Sequence, residues 1–132
     1  MSESISPWSD NASLTSPDGS LTASLNETHE ISMGGPSSGT LIVSNGQSVN
    51  YCSPSIVWSD DSKYLAVPQW TLERTQRLIV LHPRERLIGY VPGEFRVLRL
   101  ESFHGGKIRG VDSPAHDPQP IEVSLEDVKW TS

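Results

Sequence analysis

Residues Ser55–Trp70 read SIVWSDDSKYLAVPQW, and the parsing of this stretch decides the fold. Ile56, Val57 and Trp58 are branched or aromatic, side chains that suit a pleated, half-buried surface. Ser59, Asp60, Asp61 and Ser62 follow, and such residues hydrogen-bond their own backbone and favour a turn. Lys63–Val67 forms a second run, ended by Pro68. Two β-type runs around a tight polar turn predict a β-hairpin.

Upstream, Ser13–Leu25 (SLTSPDGSLTASL) holds a second version. Pro17-Asp18-Gly19 has turn chemistry, since Pro presets φ, Asp bonds locally and Gly takes positive φ. Leu21, Ala23 and Leu25 alternate with Thr22 and Ser24, the period of a strand with one dry face. Ser16–Ala23 aligns with Ser59–Ala66 at an offset of 43 residues, matching Ser16 to Ser59, Asp18 to Asp61 and Ala23 to Ala66. Further strands are expected at Glu30–Met33 and Thr40–Ser44, with Gly34–Gly39 as a loop between them. Asn45-Gly46 is a strong hairpin signal. Beyond the central hairpin, Arg77–Leu81 (RLIVL) is a continuous apolar run, as expected of a strand covered on both faces. Arg86–Val91, Phe95–Phe103, Lys107–Val111 and Ile121–Leu125 complete the expected strands, and Glu126–Trp130 either extends the last one or makes one short turn. No segment holds a helical period beyond about ten residues.

The chain has 132 residues, which sets the expectation of one domain. Residues 1–12 are expected to be a loose start. No stretch approaches the roughly 18 apolar residues of a membrane span. The start MSESISPWSD has neither a basic patch nor an apolar run, so no secretory signal is expected. The lone cysteine, Cys52, excludes an internal disulfide and suits a cytoplasmic, reducing setting. The net charge of −6 argues against nucleic acid as a partner. The charge is unevenly placed. Residues 1–73 carry eight acids and one base (net −7), residues 74–109 eight bases and three acids (net +5), and residues 110–132 five acids and one base (net −4). The middle third is therefore expected to meet something acidic, in this chain, in a second copy or in a ligand.

A repeat of about 40–45 residues with four short strands per unit is the sequence period of propeller blades. The strings TSPDGSLTA and IVWSDDSKYLAV resemble the strand–turn–strand signature of WD40-type and TolB-type β-propeller repeats. The resemblance covers residues 13–111, as two blades and the start of a third. The Trp-Asp dipeptide and Gly-His pair of true WD40 blades are absent. The resemblance implies an all-β, antiparallel domain over 1–132. Repeat one is expected at 13–48, repeat two at 49–93, and a partial third repeat with a C-terminal strand at 94–132. Closed propellers have 4–8 blades. The units are therefore expected either to pack as a sandwich within the chain or to be completed by a homo-oligomer.

Motifs for chemistry are sparse. His29, His82, His104 and His116 have no zinc-type spacing. There is no Gly-x-Ser-x-Gly elbow. The glycine-rich runs at 34–39 and 104–107 lack the context of a phosphate cradle. Asp18, Asp60 and Asp61 are read as turn-formers and not as calcium ligands. No cofactor and no metal is expected. Trp70 follows Pro68 at a strand end, and a loop longer than its first-repeat counterpart carries Glu73 and Arg74. Aromatic residues and arginine are enriched at binding surfaces. Families that the chain resembles mostly bind proteins through loops at one rim. The expected function is thus a non-enzymatic, cytoplasmic module binding a protein partner through Trp70, Glu73, Arg74, Arg84 and Arg86. A small oligomeric glycan-binding module is the alternative, followed by a hydrolase with a site between subunits.

Overall fold

The computed structural model describes residues 5–9, 12–31, 35–115 and 117–131. Twelve strands are assigned among them: β1 (Ala12–Thr15), β2 (Thr22–Glu30), β3 (Ser37–Val43), β4 (Ser48–Cys52), β5 (Val57–Trp58), β6 (Leu65–Trp70), β7 (Gln76–His82), β8 (Leu87–Tyr90), β9 (Leu98–His104), β10 (Lys107–Asp112), β11 (Gln119–Ser124) and β12 (Lys129–Thr131). Every pairing is antiparallel, and the helix content described is one 3-10 turn, Leu125–Asp127.

The hairpin that the central stretch predicts is present. Val57 pairs with Ala66 and Trp58 with Leu65. Its upstream counterpart pairs Leu14 with Ala23 and Thr15 with Thr22, the same register 43 residues earlier. The turns match as well. The Ser16 and Ser59 hydroxyls donate to Asp18 and Asp61 Oδ1 at 2.8 and 2.6 Å. The Leu21 and Tyr64 N–H groups donate to those same serine oxygens. Gly19 and Ser62 donate to the serine carbonyls, and both have positive φ, +76° and +64°. The Asp-centred bend is thus one device used twice.

Strands β1–β4 form one meander, and β5–β8 with β12 form another. A single bridge, Cys52 to Gln69, joins the two. Strands β9–β11 make a separate three-stranded sheet. The middle meander is apolar on both faces, because side chains alternate along a strand. Ile79 and Leu81 of β7, with Leu65, Val67 and Trp58, face the first meander and pack with Ala23, Leu25, Leu41 and Val43. Leu78 and Val80, with Val57 and Ala66, face the three-stranded sheet and pack with Leu98, Leu100, Phe103 and Ile108. Two cores therefore separate three layers, and RLIVL is covered on both sides as its composition implies. The strands that lead each layer lie side by side, β5 between β1 and β9. The Trp58 Nε1–H donates to the Leu14 carbonyl at 2.8 Å, and the Leu100 N–H to the Ser55 hydroxyl at 3.0 Å.

Several local expectations are corrected. Glu30 is the end of β2 and does not open a separate strand, because β2 stays paired to β3 as far as Glu30 and absorbs an irregularity between Asn26 and His29. Residues 32–34 of the expected strand and loop lie outside the described residues. Ser37–Gly39 are strand, not loop. At Gly39 a Cβ would stand 2.7 Å from the Asn26 carbonyl oxygen, so only glycine lets the backbones approach there. Residues 49–52, expected to open repeat two, belong with Ser48 to β4, which pairs with β3 as the fourth strand of the first meander. Leu98 rather than Phe95 begins β9, since Phe95 exchanges backbone hydrogen bonds with Gln76. After the 3-10 turn, β12 leaves the third sheet and pairs with β8 of the second.

Candidate functional site

The strands have two ends, and the expected site residues divide between them. Arg84 and Arg86 sit in the β7–β8 turn, at the end that carries the two Asp-centred bends. Arg84 Nη2 meets Asp18 Oδ2 at 3.0 Å, and Arg86 donates from Nη2 to the Asn45 carbonyl at 2.6 Å. Asn45 in turn donates to the Pro83 carbonyl, and the Asp18 N–H donates to the Ser62 hydroxyl. Asp60 accepts from His104 Nδ1 at 2.7 Å, and its N–H donates to the Phe103 carbonyl. Both arginines thus tie turns of this chain together. The Ser20 hydroxyl and N–H, then Ser16 and, weakest, Arg84 hold the Asp18 carboxyl at about 2. Partial burial pushes Asp61 up, but the Ser59 hydroxyl and the Lys63 N–H outweigh it and leave Asp61 below the usual carboxylate range.

Trp70, Glu73 and Arg74 lie at the other end of β7. Seven residues at about 3.3 Å each put roughly 20 Å between the two groups. The structure therefore does not bring all five expected residues together. Trp70 is 9% exposed, and its Nε1–H donates to the Ser37 carbonyl at 3.2 Å, which fixes the ring at the floor of this end. The loop above it is a Thr71–Thr75 clasp with hydroxyls 2.8 Å apart and Arg74 at φ +62°. The clasp raises Leu72 to 99% exposure.

An open cleft of about 570 Å³ lies here, where the first two meanders diverge. Tyr51, Gln69, Trp70, Leu72, Glu73 and Arg77 are among the residues that line it. Among the described residues one ladder pair, Cys52 with Gln69, joins β4 to β6 beside this cleft. Tyr51 dominates the cleft. It is 65% exposed and has φ +62°. Two residues of β4, Asn50 and Tyr51, stand against one of β3, Thr40, between the Gly39–Cys52 and Leu41–Val49 pairs. This bulge turns the ring outward. A bulky side chain in the left-handed region is a strained arrangement, of the kind that persists where the surroundings impose it and clusters at functional sites. A smaller hollow of about 340 Å³ opens beside Tyr51, lined also by His29, Ser38, Gly39, Thr40 and Asn50.

Arg77 also lines the cleft, and its side chain has two neighbours. Its Nε–H donates to Gln69 Oε1 at 3.0 Å, and its Cζ stands 5.8 Å from the Tyr90 ring centroid. Gln69 Nε2 donates onward to the Asn50 carbonyl at 3.1 Å. Tyr51, Leu72, Gln69 and Arg77 are not among the residues expected from sequence. Leu72 carried a signal, as a lone leucine in the polar loop Thr71–Gln76. Tyr51 carried none, because strict alternation from Val49 points its ring inward.

Cys52, next to Tyr51, is buried, and desolvation pushes its thiol up to about 12, far from a reactive thiolate. No group of three metal-ligating side chains converges among the described residues. No described helix is long and apolar enough to cross a membrane. No family model, curated protein or solved structure matches this chain.

Proposed function

We propose that this protein is a non-enzymatic binding module, working in the cytoplasm, that holds a protein partner in the cleft around Tyr51, Trp70 and Leu72. The observation that carries this reading is Tyr51, an aromatic side chain held outward at a strained bulge beside an open cleft. Exposed tyrosine and arginine side chains around a buried tryptophan resemble the composition of interface hot spots, and Leu72 adds apolar surface beside them. In this reading the first two meanders are blade-like repeats of the WD40/TolB kind, whose loops form the binding rim. The stacking of apolar faces within one chain favours an intrachain sandwich over blades completed by further copies. The outward strand positions of the first meander support this, since Ser13, Thr15, Thr22, Ser24, Asn26, Thr40, Ser48 and Asn50 are polar and the exposed Ile42 is the apolar exception among them.

The test compares wild type with a Tyr51→Ser/Leu72→Ser double variant in affinity capture with quantitative mass spectrometry. A partner that wild type enriches and the variant loses at least about tenfold supports the reading. Equal capture by both proteins, or no partner for either, overturns it. The glycan reading has one observation in its favour, the hydroxyl- and amide-lined hollow beside Tyr51. A glycan array tests it, with Tyr51→Ser as control.

A further inference from the structure

Part of the basic middle third is engaged within this chain. Arg84 meets Asp18 and Arg109 meets Glu122 at 2.7 Å, while Arg86 is spent on the Asn45 carbonyl. Arg74 and Arg77, like Arg96 and Lys107, meet no carboxylate among the described residues, and Arg74 and Arg77 belong to the cleft end. Arg77 is the better placed, because Gln69 and Tyr90 hold its guanidinium and its Nη atoms have no acceptor among the described residues. A planar guanidinium fixed in this way presents parallel N–H donors that match a carboxylate. Holding the pose before binding reduces the entropy lost on binding. Glu73 also lines the cleft, so the anion must sit on the Arg77 side and not against the loop.

We infer that the cleft takes an extended segment of a partner protein that places an Asp or Glu side chain on Arg77 and an apolar side chain against Tyr51 and Leu72. This deepens the protein-binding reading and rests on it. Arg77 supplies charge complementarity in a chain whose described ion pairs are all internal, and the exposed ring and leucine supply the apolar contact.

The test is selection of a displayed random peptide library, in which the peptides have no free carboxy terminus, against three proteins: wild type, Arg77→Gln and Tyr51→Ser/Leu72→Ser. Circular dichroism first establishes that all three are folded. Peptides selected by wild type are expected to be enriched in Asp or Glu beside an apolar residue. The best of them, resynthesised with blocked ends, should bind Arg77→Gln roughly tenfold to a hundredfold more weakly, the range of one hydrogen bond to a charged group. It should not bind the double variant. Selected peptides without an acidic residue, or peptides that bind Arg77→Gln as well as wild type, overturn the carboxylate assignment and leave the cleft standing. Wild-type selection no richer than that of the double variant overturns both.

Discussion

At one end of the molecule the bends Ser16–Gly19 and Ser59–Ser62 repeat the same serine–aspartate hydrogen bonds; at the other, the chain breaks its own pattern. The repeated end is closely tied. Each bend closes on its own serine and aspartate, and cross-links run from Asp18 to Ser62 and Arg84, from Arg86 to Asn45, and from Asp60 to His104. The other end has a bulge, a left-handed tyrosine, a fully exposed leucine and a cleft. Regularity marks the end that ties the layers together, and departure from it marks the end where we propose that a partner binds. If this division is right, substitutions at the two ends should separate stability from binding.

The largest effect belongs to the repeated end. Trp58 immediately precedes the second bend, is 2% exposed and donates its indole N–H to the Leu14 carbonyl. Trp58→Ala removes a buried ring and leaves that carbonyl without its donor. A loss of about 3–5 kcal/mol in urea-induced unfolding is expected. A loss under about 1 kcal/mol would break the comparison, because the contact between the first two layers would then not depend on this end.

Tyr51→Gly should move the other way. Glycine accepts φ +62° without the Cβ penalty, while losing more chain entropy on folding. Relief of left-handed strain of about 1–2 kcal/mol against an entropy cost of about 0.5–1 kcal/mol gives a net gain between about 0 and 1.5 kcal/mol. Partner binding should fall at the same time. A variant both less stable and unimpaired in binding would mean that the bulge serves packing alone.

The legibility of the sequence follows the same division. The repeated end was readable because Ser-x-Asp chemistry is local, and bonds within six residues specify it. RLIVL was readable because burial on both faces removes polar residues from a strand. Tyr51 was not, because a bulge depends on how β3 and β4 are registered, and no residue of VNYC announces it. The same holds for β12, whose three residues Lys129–Thr131 reveal nothing of their pairing with β8. Gly89 is the partner mark, since a Cβ there would stand 2.9 Å from the Trp130 ring, and such a mark has meaning only once the pairing is known. Trp70 ends β6, as its place after Pro68 implies, whereas Arg84 and Arg86, which follow it closely in sequence, lie beyond the far end of β7.

The smallest effect sharpens the comparison between the two bends. Asp18 and Asp61 both have carboxyls held below the ordinary value, Asp18 at about 2. A folded-state pKa below the unfolded one stabilises the native state above the unfolded value. That contribution fades as pH falls from near 4 through the folded value. The contribution of Asp18 and Asp61 to stability should therefore be level above about pH 5 and decline toward pH 2. Asp18→Asn, measured by thermal unfolding from pH 7 to pH 2, should remove one part of that decline while costing little elsewhere, since Arg84 is an exposed partner. Asp61→Asn should remove the other part without an ion pair to lose, as the Ser59 hydroxyl and Lys63 N–H are its described hydrogen-bond donors. Additive flattening in the double variant would show two copies of one device acting separately. Flattening by either single variant as complete as by both would show that the Asp18–Ser62 link makes the two bends titrate as a single unit.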